Sequence, residues 1–133
     1  MEAKQPTQEQ IKEFWEWCGF RWEGEDEVGK GFWLSPDGYA YCYPNNHLTS
    51  TELLPFIDLN NLFKYAVPRL QDRGHQVELL AFEHKGFRAT VYKECFSRRG
   101  SDGYDPCLEP ITQQDSEDPA LALFWAIWEV KDG

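Results

Sequence analysis

Positive charge is scarce in this chain. Its 133 residues carry 13 Lys and Arg against 23 Asp and Glu, a formal net charge of −10. That balance works against direct nucleic-acid binding, which phosphate neutralisation by Lys and Arg drives. A C-x-x-C pair is missing too. The four cysteines, Cys18, Cys42, Cys95 and Cys107, are spread singly, so neither a zinc knuckle nor a thioredoxin-like redox site is signalled. The expectation is accordingly no metal and no cofactor. There is no G-x-S-x-G, no H-E-x-x-H and no Gly-rich phosphate loop. An enzyme reading is thereby reduced to a small hydrolase whose Cys, His or carboxylates meet only in the fold. No apolar run approaches the ~20 residues of a membrane span. The amino end, Met-Glu-Ala-Lys-Gln-Pro-Thr, lacks the apolar segment of a secretory signal, which points to a cytoplasmic protein with free thiols.

What charge there is falls unevenly. Residues 1–58 hold 4 basic against 11 acidic side chains, residues 59–99 hold 8 against 4, and residues 100–133 hold 1 against 8. A mildly basic middle is thus flanked by two acidic ends. Such a surface suits a basic partner protein, including one that ordinarily holds nucleic acid, and it also simply keeps a small protein soluble.

Two helices are written plainly. Leu59, Leu62, Phe63, Ala66, Val67 and Leu70 recur with helical spacing. Asp58 precedes them as a cap and Gly74 follows as a stop. Pro68 lies inside this pattern and should remove one backbone hydrogen bond and bend the helix. Asp118-Pro119 opens a closing helix that carries Leu121, Phe124, Trp125, Ile127 and Trp128. A further helix, from Gln8 to Cys18, follows from the Thr7…Gln10 capping box and the stripe of Ile11, Phe14, Trp15 and Cys18. Cys18 belongs to that stripe as an inert buried thiol.

Strands are read at Gly31–Leu34 and Tyr39–Tyr43, joined by the Ser35-Pro36-Asp37-Gly38 turn. Two more, Gln76–Phe82 and Phe87–Tyr92, flank a turn in which Gly86 takes positive φ. In the last of these Phe87, Ala89 and Val91 face one way, and Arg88, Thr90 and Tyr92 the other. Residues 20–30 read as a charged loop, 44–57 as a long connection, and 100–117 as a loop or partly ordered insertion with a short edge strand near Leu108–Ile111. The whole is expected to be one α+β domain, a three-layer α/β/α sandwich with a small, mainly antiparallel sheet and three helices.

Three groups of residues carry candidate function. Tyr39, Tyr41 and Tyr43 share one side of a strand, where they can stack a planar ligand, form a contact surface or cover the core. The acidic run of Glu23, Glu25, Asp26 and Glu27 is a second candidate, as a set of phosphate mimics. Lys93, Arg98 and Arg99 form a basic knot in which Arg98 and Arg99 are the candidate anion binders.

The segment Leu59-Asn60-Asn61-Leu62-Phe63-Lys64-Tyr65-Ala66-Val67-Pro68-Arg69-Leu70, the hairpin after it and Asp118-Pro119-Ala120-Leu121-Ala122-Leu123-Phe124-Trp125-Ala126-Ile127 together resemble small phage and prophage proteins, the phage ABA sandwich domain group. Phe14-Trp15-Glu16-Trp17-Cys18-Gly19-Phe20 and the Ser35–Gly38 turn share the likeness. It implies a layered α/β/α fold and a phage or prophage origin, and it transfers no functional residue. In that setting the leading expectation is a non-enzymatic accessory protein that binds a host protein with a basic surface, an acidic inhibitor of a defence factor. The alternatives are a sponge for a small nucleotide-like signal and the small hydrolase. A homo-oligomer is compatible with each.

Overall fold

The computed structural model describes residues 4–24, 31–38, 40–41, 54–82, 86–98 and 104–132. The chain divides into two compact units, one formed by Met1–Lys4 with Asp58–Gly133 and the other by Gln5–Ile57. Both mix helix with antiparallel sheet, and the described residues form three helical stretches in all. The α+β class is therefore as expected, although the strands divide between two sheets of three.

The Gln5–Ile57 unit begins with α1, Gln8–Trp17. The Thr7 side chain accepts from the Gln10 amide while the Gln10 side chain accepts from the Thr7 amide, so the capping box is complete. Gly19, at φ 108°, lies just past the helix. Strands β1 (Arg21–Gly24), β2 (Gly31–Leu34) and β3 (Ala40–Tyr41) form one antiparallel sheet. Strand β1 corrects the reading of residues 20–30 as loop, because pairing with β2 recruits a segment whose own polar composition gives no strand signal. Between β2 and β3 the Gly38 amide donates to the Ser35 carbonyl and Gly38 takes φ 89°, as the turn residues require. Aromatic rings make the core: Phe14, Trp15 and Trp33 are fully buried, and Phe20 nearly so. Trp15 packs edge-on against Phe14 and Phe20, and its indole donates to the Pro55 carbonyl at 3.0 Å.

In the other unit, α2 (Leu59–Asn61) is capped by the Asp58 carboxylate, which accepts from the Asn61 amide at 2.8 Å. It passes through a π-helical turn, Leu62–Ala66, into α3, Val67–Gln71. The wide turn accounts for Pro68. The Val67 amide bonds back to Leu62, five residues away, so the helix widens immediately before a residue that has no amide and whose ring would crowd the carbonyl four positions back. The expected bend is thus taken up as a π turn.

Strands β4 (His75–Ala81), β5 (Phe87–Arg98) and β6 (Tyr104–Ser116) follow, with β5 central. Two expectations are corrected here. The second strand does not stop at Tyr92 but runs to Arg98, and the short edge strand read near Leu108–Ile111 is part of a long one, residues 104–116, where the rest of 100–117 was read as a loop or partly ordered insertion. The segment carries Pro106 and Pro110, which an edge strand tolerates, and its order comes from the neighbouring β5 ladder. The same ladder sets Cys95 opposite Cys107 with 5.0 Å between their Cα atoms, and the two form a disulfide instead of free thiols. Cys18 is a buried free thiol as expected. Gly86 holds φ 131°, and a Cβ there would lie 3.0 Å from the Ser116 carbonyl oxygen.

Ala89 and Val91 are fully buried on one face of this sheet, and Thr90, on the other, is buried as well at 1% exposed. On the other face Arg88 pairs with Asp115, Tyr92 donates to Glu78 and Gln76 donates to Glu94. The Arg88 hydrogen bond and charge hold the Asp115 carboxyl below its ordinary range, and the bond to Glu78 pushes the Tyr92 phenol up. Helix α4, Pro119–Val130, packs on β5 and β6 and against the π turn. The Asp118 carboxylate caps it through the amides of Ala120 and Leu121. Every residue from Ala120 to Ile127 is buried, and the Trp125 indole donates to the Lys4 carbonyl at 2.9 Å. No helix among the described residues is long and apolar enough to cross a membrane.

Candidate functional site

The clearest site lies where α3 hands over to β4. The Arg73 amide donates to the Leu70 carbonyl, and Gly74, at φ 82°, turns the chain into the first residue of β4. The Gly74 carbonyl accepts from the Glu94 amide, which ties this turn to β5. The ladder register then places His75 of β4 beside Lys93 of β5, with Glu109 of β6 beyond. Between Val91 and Tyr92 the β5–β6 register slips, because β6 carries one extra residue, Ile111, between the partners Thr112 and Pro110. Bulges of this kind re-aim side chains. Here Ile111 joins Arg73, His75 and Lys93 around an open cleft of about 730 Å³.

The described lining contains three nitrogen-bearing side chains and no carboxylate. The Arg73 Nη1 donates to the Lys131 carbonyl at 2.9 Å at the end of α4. Lys93 is exposed, and no hydrogen bond or ion pair joins its ammonium to a described residue, its ladder partner Glu109 included. His75 is 8% exposed, and its Nδ1 is sealed from solvent with no hydrogen-bond partner among the described residues. Leaving a buried polar atom unpaired costs roughly 1–3 kcal/mol, and a nitrogen sealed from solvent is not offered to a ligand in an open cleft. Chemically the arrangement can attract and orient an anion. Among the described residues no group of three His, Cys, Asp or Glu side chains is placed to hold a metal ion.

The sequence had pointed elsewhere for its anion binders. Arg98 is the last residue of β5, five positions from Lys93 and so about 17 Å along the strand. Arg98 is described only as a backbone position of β5, and Arg99 lies outside the described residues. Lys93 meets two residues upstream of it by 18 and 20 positions. Of those two, Arg73 is legible in the sequence as an arginine at the end of a helix, and His75 carries no signal of its own. The useful signal was the excess of basic residues in the 59–99 segment.

Of the acidic run, Glu23 accepts from the Arg21 guanidinium at 2.8 Å, so its charge is already partnered. Glu25, Asp26 and Glu27 lie outside the described residues. So do Tyr39 and Tyr43, and Tyr41 is described only as a backbone position of β3 paired with Trp33. A smaller cleft of about 220 Å³ in the same unit is lined by Gly19, Arg21, Leu34, Ser35, Pro36 and Gly38. Its polar groups are engaged, Arg21 with Glu23 and the Ser35 hydroxyl with Asp37. No protein family, curated protein or solved structure matches this chain.

Proposed function

We propose that this is a binding protein that captures a small, nucleotide-like anion, in keeping with the phage or prophage accessory role that its resemblance implies. One observation carries the reading: Arg73, His75 and Lys93, from three different segments, converge on one cleft with no described carboxylate among them. A local cluster of donors on a chain of net charge −10 favours small anions over polyanions, since long-range repulsion grows with the charge of the ligand while the local contacts do not. The volume suits such a ligand, as small-molecule sites span about 300–1,000 Å³.

The test is thermal stability across a panel of linear and cyclic nucleotides. A ligand that binds only the native state at 100 times its Kd raises stability by about 2.7 kcal/mol. A melting temperature unmoved by every member of the panel would refute the sponge.

A second reading, the acidic inhibitor of a basic host protein, is favoured by the two acidic ends of the chain. It requires salt-sensitive binding to such a partner. Neutralising Glu23, Glu25, Asp26 and Glu27 together should weaken that binding, and unchanged affinity would exclude the reading.

A further inference from the structure

The Cys95–Cys107 bridge stands where the sheet loses its support. Strand β4 reaches the His75–Lys93 pair, and the hydrogen bond from the Glu94 amide to the Gly74 carbonyl extends that side by one residue. Helix α4 gives out at the same level. It follows Ser116, the partner of Phe87, and its 12 residues span about 18 Å, against about 20 Å of strand from Phe87 to Lys93. Its end is marked by the Lys131 carbonyl, which accepts from Arg73 beside the Lys93 cleft. From Cys95 onward β5 pairs with β6 alone, Cys95 with Cys107, Phe96 with Pro106, Ser97 with Asp105 and Arg98 with Tyr104.

A two-stranded ribbon is marginal in water. This one has a further weakness, since Pro106 has no amide to donate. The bridge lies at the first pair of the ribbon and joins cysteines 12 residues apart, on strands that are already neighbours. Its effect is therefore local, because the core of Leu62, Leu70, Ala89, Val91, Leu123 and Ile127 is fully buried without it. Both cysteines are half-buried, so a thiolate can reach them from solvent.

We infer that Cys95–Cys107 is a thiol–disulfide switch that sets the order of this ribbon, with a dithiol as its co-reactant. One thiolate of the dithiol attacks a bridge sulfur, the S–S bond breaks and a mixed disulfide forms. The second thiolate then displaces the protein sulfur. The protein gains two electrons and two protons as a pair of thiols, and the dithiol becomes a disulfide. With the bridge open, Cys95–Arg98 and Tyr104–Cys107 leave the ladder while β4 and β5 up to Glu94 stay paired.

The experiment is amide hydrogen exchange of the intact protein, oxidised and after treatment with dithiothreitol, in the absence of denaturant. Alkylation and peptide mapping of the same samples report which thiols have formed. Dithiothreitol should open the bridge, exposing Cys95 and Cys107 to label while the buried Cys18 stays unlabelled. Exchange in Cys95–Arg98 and Tyr104–Cys107 should quicken by at least about tenfold, as a closed loop of this size is worth more than one such factor. His75–Ala81 and Phe87–Val91 should keep their protection, and oxidised glutathione should restore the ribbon. The double variant Cys95→Ser, Cys107→Ser should exchange like the reduced protein with or without dithiothreitol, and reduction of the native chain decides the matter even where that variant does not fold.

A bridge that dithiothreitol opens only in denaturant would overturn the switch. So would a reduced ribbon, or a double variant, as well protected as the oxidised protein. Protection lost across β4 and α4 together with the ribbon would overturn it too, because the bridge would then be a staple for the whole unit.

Discussion

The two units of this chain solve the problem of stability differently. In the Gln5–Ile57 unit the strands are two to four residues long, and the core is a small set of large rings, with Phe14, Trp15, Phe20 and Trp33 buried. In the other, strands of 7, 12 and 13 residues form a continuous ladder, a disulfide crosses it, and a capped helix packs on it. Stability is concentrated in the first and distributed in the second. The distributed unit is also the one that carries the cleft of Arg73, His75 and Lys93.

That contrast can be broken by substitution. The largest effect is expected at Trp15, where Trp15→Ala removes a fully buried ring and the donor to Pro55, at a cost of about 3–5 kcal/mol. Denaturant unfolding followed by circular dichroism measures it. If that cost were no greater than those below, the claim of a concentrated core would fail.

Next comes the bridge. Replacing Cys95 and Cys107 together by Ser should cost about 2–4 kcal/mol in the same assay. The accompanying loss of amide protection should centre on the β5–β6 ribbon beyond Lys93, where β4 no longer lends support. Protection lost equally in β1 and β2 would count against a local role. A smaller cost, about 1 kcal/mol, is expected for Asp118→Ala, which removes the cap of α4.

The smallest effect is the pair Arg88–Asp115, both about a third exposed and therefore salt-sensitive. Arg88 lowers the Asp115 pKa, so the stabilisation is present above the ordinary carboxylate range and is lost as pH falls through the lowered value. The difference in melting temperature between the protein and Asp115→Asn should hold from neutral to mildly acidic pH and shrink only in stronger acid. A difference that disappears already near neutrality would rule out this origin.

The parts read correctly from sequence are those encoded within a few residues. The Thr7–Gln10 box, the Asp58 and Asp118 caps, the Gly86 turn and the apolar set of Ala89 and Val91 all depend on neighbours within one turn or one strand. The misread parts depend on pairing. Arg21–Gly24 and Tyr104–Ser116 are polar segments that become strands because β2 and β5 accept them. The cleft was harder still. Its residues stand at positions 73, 75, 93 and 111, and no local pattern links a helix-end arginine to a mid-strand lysine.

The sequence by itself determined where helices begin and end, which strand face is apolar, and that the middle of the chain is locally basic within an acidic whole. Periodicity, capping and composition are short-range properties, and they survive without knowledge of partners. Only the tertiary structure decided the ladder register, and with it the Cys95–Cys107 bridge, the Ile111 bulge and the meeting of Arg73, His75 and Lys93. Register is a long-range quantity: a slip of one residue sends a side chain to the opposite face, and so redraws any site built across strands.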